Sequence, residues 1–70
     1  MTIDLDHIFR YHAPREEQVD KYESLRAAAR LFAKTVLDNV PDCADRAAAI
    51  RHIREALMTA NAGIALDGRL

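Results

Sequence analysis

Phe9-Arg10-Tyr11-His12-Ala13-Pro14 places two aromatic rings, an imidazole and a cation side by side. A ring held out beside positive charge suits a flat, anionic ligand, because stacking on an aromatic side chain is worth about 1–3 kcal/mol per base. Tyr11 is the leading candidate, since Pro14 restricts the residue before it and stiffens the elbow. Phe9 and His12 are its neighbours, able either to shape a pocket or to staple the N-terminal segment onto the rest of the chain. Arg26 is the candidate cation. Its guanidinium presents a planar fork of donors that matches phosphate or carboxylate oxygens, and on an apolar seam it is costly unless an anion meets it. That anion is either an external ligand or a carboxylate such as Glu23, Glu55 or an acid of another copy; the stem could also snorkel to the rim. Arg30, one turn further on, offers a second cation. Asn61 lies on a strip of small residues with Ala56, Ala60 and Gly63, where its amide could read a base edge or tie two copies together.

Other chemistries have less support. His7 and His12 are separated by a break and His52 is remote, with no ligand spacing that makes a metal site. Cys43 begins a helix without an evident general base, which favours a small packing residue over a nucleophile. Two glycines cannot make a glycine-rich phosphate loop. The pattern points to binding without catalysis and to no cofactor.

These side chains need elements to hold them. Residues 2–9 form a short amphipathic turn, with Thr2 as its cap and Ile3, Leu5, Ile8 and Phe9 as its apolar members. From 14 to 40 the stripe Val19, Tyr22, Arg26, Ala29, Ala33, Val36 and Val40 repeats at three and four, which marks a long amphipathic helix. Asn39-Val40-Pro41-Asp42 is a turn, with Asp42 and Asp45 imitating a capping box. A second helix fills 42–67, its seam being Ile50, Ile53, Leu57, Ala60 and Ile64, and Asp67-Gly68 its stop. Two such helices joined by a short turn make an antiparallel hairpin, so residues 1–70 read as one all-α domain.

With 70 residues, one cysteine and thirteen alanines, the chain has little large apolar volume and no internal disulfide. A core this small supplies only about 3–5 kcal/mol, so hairpins must bundle together and self-association is expected. Net charge is −1, against the basic face that DNA, RNA or a membrane surface would require. No signal peptide or membrane-spanning run is evident, and the lone thiol fits a reducing cytoplasm.

The motifs Phe9-x-Tyr11-His12-x-Pro14, Gln18, Tyr22-Glu23-x-Leu25-Arg26, Ala29 and Val40-Pro41-Asp42, followed by Glu55-Ala56-Leu57-Met58-x-Ala60-Asn61-Ala62-Gly63-Ile64-Ala65, resemble the phage anti-CBASS hairpin proteins. These are cyclic-oligonucleotide sponges that share a hairpin domain with the Thoeris anti-defence sponges. The resemblance implies a homohexamer that captures cyclic dinucleotides, such as cyclic GMP-AMP, without cleaving them. It implies pockets between protomers that use an elbow tyrosine and a basic residue of the first long helix, here Tyr11 and Arg26. Some members also hold cyclic trinucleotides where three protomers meet. Thr59 stands where the family leads one to expect an aromatic and Leu66 where an arginine is expected, which leaves trinucleotide binding open. Without the resemblance, an oligomeric adaptor or antitoxin-like protein would use the same seams for protein contacts alone. A nucleotide-processing enzyme is the third class.

Overall fold

The computed structural model describes residues 2–69. Three helices follow one another: α1 (Leu5–Phe9), α2 (Glu16–Asn39) and α3 (Ala44–Ala65). The two long helices pair as an antiparallel hairpin, and the described residues contain no strand. The body measures 43 × 26 × 18 Å.

Local chemistry sets the helix ends, and several lie inside the limits the sequence suggests. Asp4, rather than Thr2, caps α1: its carboxylate accepts the His7 backbone N–H at 3.1 Å. Pro14 stays outside α2, in the extended elbow, and Arg15 occupies the cap position. Arginine has no acceptor to offer the first turn. Gln18 supplies the cap in reverse, its Oε1 accepting the Arg15 N–H at 3.0 Å. Glu16 and Glu17 place negative charge at the positive end of the dipole.

At the turn into α3 the cap residue is Cys43, and no side chain caps the helix. The expected capping box of Asp42 and Asp45 therefore does not form. Asp42 instead meets Arg46 one turn along, at 3.2 Å. Cys43 is exposed and free, so it is not the packing residue the sequence suggests. The far end of α3 closes tightly. Gly68 N–H reaches the Gly63 carbonyl at 2.9 Å and Asp67 N–H the Ile64 carbonyl at 3.2 Å. This crossed pair is the Schellman closure, with Asp67 and Gly68 both in the left-handed region at φ 53° and 73°.

Packing within the single chain is sparse. Among the described residues no large side chain is fully buried, and Leu66 alone of the hydrophobic residues counts as buried. The chain exposes 5679 Å², whereas a compact monomer of its 7.9 kDa mass would expose about 4,400 Å². The excess of about 1,300 Å² is more than the ~800 Å² that one partner contributes to a standard interface. Leu31, Phe32, Leu37 and Met58 stay at least half exposed along the hairpin.

Candidate functional site

The elbow between α1 and α2 is tied to the end of α3 by polar contacts, and these decide where the aromatic residues stand. Gln18 is 4% exposed. Its Nε2 donates to the Ile64 carbonyl at 3.0 Å while its Oε1 holds the Arg15 N–H, so one buried amide joins α2, the elbow and α3. His7, 7% exposed, reaches the Leu66 carbonyl through Nε2 at 3.1 Å. A carbonyl can only accept, so this ring nitrogen carries a proton. His12 donates from its own Nε2 to the His7 carbonyl at 2.6 Å. The two imidazoles meet edge to face, with centroids 4.8 Å apart.

An exposed ion pair closes the outer side. The Arg15 guanidinium grips both oxygens of Asp67, at 2.8 and 3.1 Å, and also meets Glu17 at 2.8 Å. The bidentate bond and the positive charge hold the Asp67 carboxyl below the usual carboxylate range, and Arg15 is raised in turn. At this exposure the pair adds geometry more than energy. On the far side Arg69 stands 4.0 Å from Asp4.

With the elbow tied down, its rings turn outward. Phe9 and Tyr11 are each 82% exposed. Phe9 therefore does not staple α1 to the hairpin; His7 does that. His12 is half-buried inside the latch. Arg26 is exposed and lines two shallow grooves, one with Pro14, Val19, Tyr22 and Glu23, the other with Arg30 and residues of α3. Neither Arg26 nor Arg30 forms an ion pair among the described residues, and the intramolecular partners Glu23 and Glu55 are not taken. Glu55 faces Arg51 and His52 instead.

Asn61 is half-buried, and its Oδ1 is buried without a hydrogen-bond partner. The strip beside it is open within the chain: a Cβ added at Gly63 would meet nothing within 4 Å. Leu66 turns inward, and the hollow beside it is lined by Thr59, Ala62, Gly63, Gly68 and Arg69.

Neither of the two grooves that Arg26 lines includes Tyr11, although Pro14 of the elbow borders one of them. Tyr11 precedes α2, whereas Arg26 lies ten residues beyond Glu16, about 15 Å along the helix axis. Among the described residues no group of three or more histidine, cysteine or carboxylate side chains is placed to hold a metal ion. No helix there is long and apolar enough to cross a membrane.

His7 and the double role of Gln18 escape a reading by seams, because a polar residue near a helix start passes for a solvated one. The available signal is glutamine three residues after a weak cap, the spacing at which a side chain reaches back to the cap N–H.

Comparison with known proteins adds the family. The model of the Acb2/Tad1 hairpin domain matches residues 1–65, nearly the whole chain. No curated protein and no solved structure matches at a significant level.

Proposed function

The chain belongs to the Acb2/Tad1 hairpin domain family, a family of cyclic-oligonucleotide sponges, and from that premise we propose that it binds and sequesters cyclic dinucleotides without cleaving them. A homohexamer of hairpins would carry the sites between protomers, in the cytoplasm of an infected bacterium. The immune effector downstream of the dinucleotide would then go unfired. The function is one of a sink, in keeping with a family known for binding and not for catalysis.

The observation that carries this reading is an 82% exposed tyrosine on an elbow fixed by buried hydrogen bonds, with an Arg26 that has no carboxylate partner among the described residues. The ring offers a face to a base and the guanidinium a fork to a phosphate. In this reading the tyrosine of one copy and the arginine of its neighbour make the pocket, in keeping with grooves at Arg26 that Tyr11 of the same chain does not line. A cyclic dinucleotide has two bases and two phosphates in approximate two-fold symmetry. A two-fold interface supplies one ring and one cation to each half. Phe9 and His12 border the ring, Arg30 follows Arg26 along the same face, and Asn61 offers an amide to a base edge or to another copy.

The excess exposed surface supports assembly, since leaving it in water would forfeit about 25 cal/mol per Å² of its apolar part. The adaptor reading shares that support but leaves the exposed tyrosine and the free guanidinium without a task. Calorimetric titration with a panel of cyclic dinucleotides separates the two. Wild type should bind, Tyr11→Ala should lose capture with its assembled mass unchanged, and Arg26→Ala should weaken it by at least the about 1.5–3 kcal/mol of a charged hydrogen bond. Heat from none of the panel supports the adaptor, and loss of assembly in Tyr11→Ala makes the ring a packing element. Ligand recovered cleaved would make the protein an enzyme.

A further inference from the structure

The groove shared by α2 and α3 carries more positive charge than one seam arginine. Arg26 and Arg30 of α2 and Arg54 of α3 line it, over an apolar floor of Ala29, Ala33, Ile50, Ile53 and Leu57. Among the described residues five of the ten lysines and arginines form ion pairs: Arg15, Lys34, Arg46, Arg51 and Arg69. The three in this groove are all among the others.

Helical spacing withholds acids from Arg30 and Arg54, while Arg26 has Glu23 three residues before it, in the neighbouring groove and not ion-paired with it. Residues three and four away from Arg30 are Arg26, Ala27, Ala33 and Lys34; those around Arg54 are Ile50, Arg51, Leu57 and Met58. Arg26 and Arg30 form a like-charge i,i+4 pair, an arrangement that destabilises a helix by a few tenths of a kcal/mol. Acidic residues are not scarce, for the chain has eleven. Positive charge from two helices, gathered above an apolar floor in a groove whose lining includes no acid, fits an anion that arrives from outside and has an apolar body.

We propose that Arg54 is a ligand-binding residue, and that Arg54, Arg30 and Arg26 of one chain together cradle a single phosphodiester of the cyclic dinucleotide. The inference rests on the reading proposed above and deepens it. Each phosphate meets guanidiniums from both long helices, so the two grooves of a protomer pair serve the two phosphates. The apolar floor receives the sugar edge between them. The two non-bridging oxygens of one phosphodiester have lone pairs enough to accept from guanidiniums on both helices.

The test is calorimetry of the assembled protein with cyclic GMP-AMP at two salt concentrations, using wild type, Arg54→Gln, Arg54→Lys and Tyr11→Ala, with assembled mass measured for each. Arg54→Gln should weaken binding at least about tenfold, the loss of one charged hydrogen bond. It should also flatten the salt dependence at unchanged mass, and Arg54→Lys should recover part of the affinity. Wild-type affinity and salt dependence in Arg54→Gln, beside a dead Tyr11→Ala, would overturn this role while leaving the shared pocket intact. A change of assembled mass in Arg54→Gln would overturn it too, by showing that the guanidinium meets a carboxylate of another copy. Failure of wild type to bind would remove the function itself and this role with it.

Discussion

Replacing Gln18 by glutamate exchanges one atom pair of the latch and leaves its shape. The wild-type amide donates to the Ile64 carbonyl at 3.0 Å and accepts from the Arg15 N–H at 3.0 Å, at 4% exposure. A carboxylate keeps the second bond but sets an oxygen against the Ile64 carbonyl in place of a donor. That carbonyl is not orphaned, because Asp67 N–H also reaches it. The expected penalty is therefore about 1–2 kcal/mol, in the lower part of the range for a buried polar group deprived of its partner. At about 4–8 °C per kcal/mol for a chain of this size, the variant should melt about 4–16 °C below wild type near neutral pH. Burial and the facing carbonyl both disfavour the ionised form and raise the folded-state pKa of the new carboxyl above its unfolded value. The folded variant then binds the extra proton as pH falls, so its stability rises toward that of wild type on acidification. Gln18→Leu removes both bonds without a charge, and its deficit should not depend on pH. Circular dichroism melts at about pH 5 and about pH 8, on either side of a raised glutamate pKa, read both variants at one fixed protomer concentration. Equal melting of Gln18→Glu and wild type at the higher pH, or a gap that ignores pH, would refute the latch.

The remaining perturbations probe the same end of the hairpin. Because Arg15 holds the Asp67 carboxyl below its ordinary value of 3.8, the pair contributes above that pH and is lost as pH falls through the depressed value. Hydrogen exchange of elbow amides in wild type should accelerate in that acid window, and Asp67→Asn should lack the step; the same acid step in the variant would assign it to another group. Gly68 at φ 73° closes α3, and Gly68→Ala should lower the melting temperature, since a side chain in the left-handed region costs about 1–2 kcal/mol. An unchanged melt would show that the closure relaxes freely. His7→Phe keeps a ring but removes the donor to the Leu66 carbonyl. It should weaken dinucleotide capture more than it lowers the melting temperature, because it frees the elbow that aims Tyr11; unchanged affinity would detach the latch from the binding site.

The hairpin was legible because its information is periodic. Val19, Tyr22, Ala29 and Ala33 on one helix and Ile50, Ile53 and Leu57 on the other repeat at the helical spacing, and only one element satisfies that spacing. Helix ends were less legible, since a cap is decided by which of several nearby polar groups wins: Asp4 over Thr2, Gln18 reaching back to Arg15, and Asp42 given to Arg46. The exposed elbow ring could be anticipated from Pro14, whose restraint on its neighbour is local. The latch could not. His7, Arg15 and Gln18 reach Leu66, Asp67 and Ile64 across as many as 59 residues of chain, and nothing in a polar residue's type states which distant group it will reach. The groove that Arg54 shares with Arg26 and Arg30 was no more legible, because it depends on the register between two helices.

Stoichiometry puts sequestration at a shared pocket to its most direct trial. Titrating the assembled protein with cyclic GMP-AMP, then recovering the ligand after denaturation, should give one intact molecule per two chains. One molecule per chain, or a non-binding species of 7.9 kDa mass in light scattering, would contradict it.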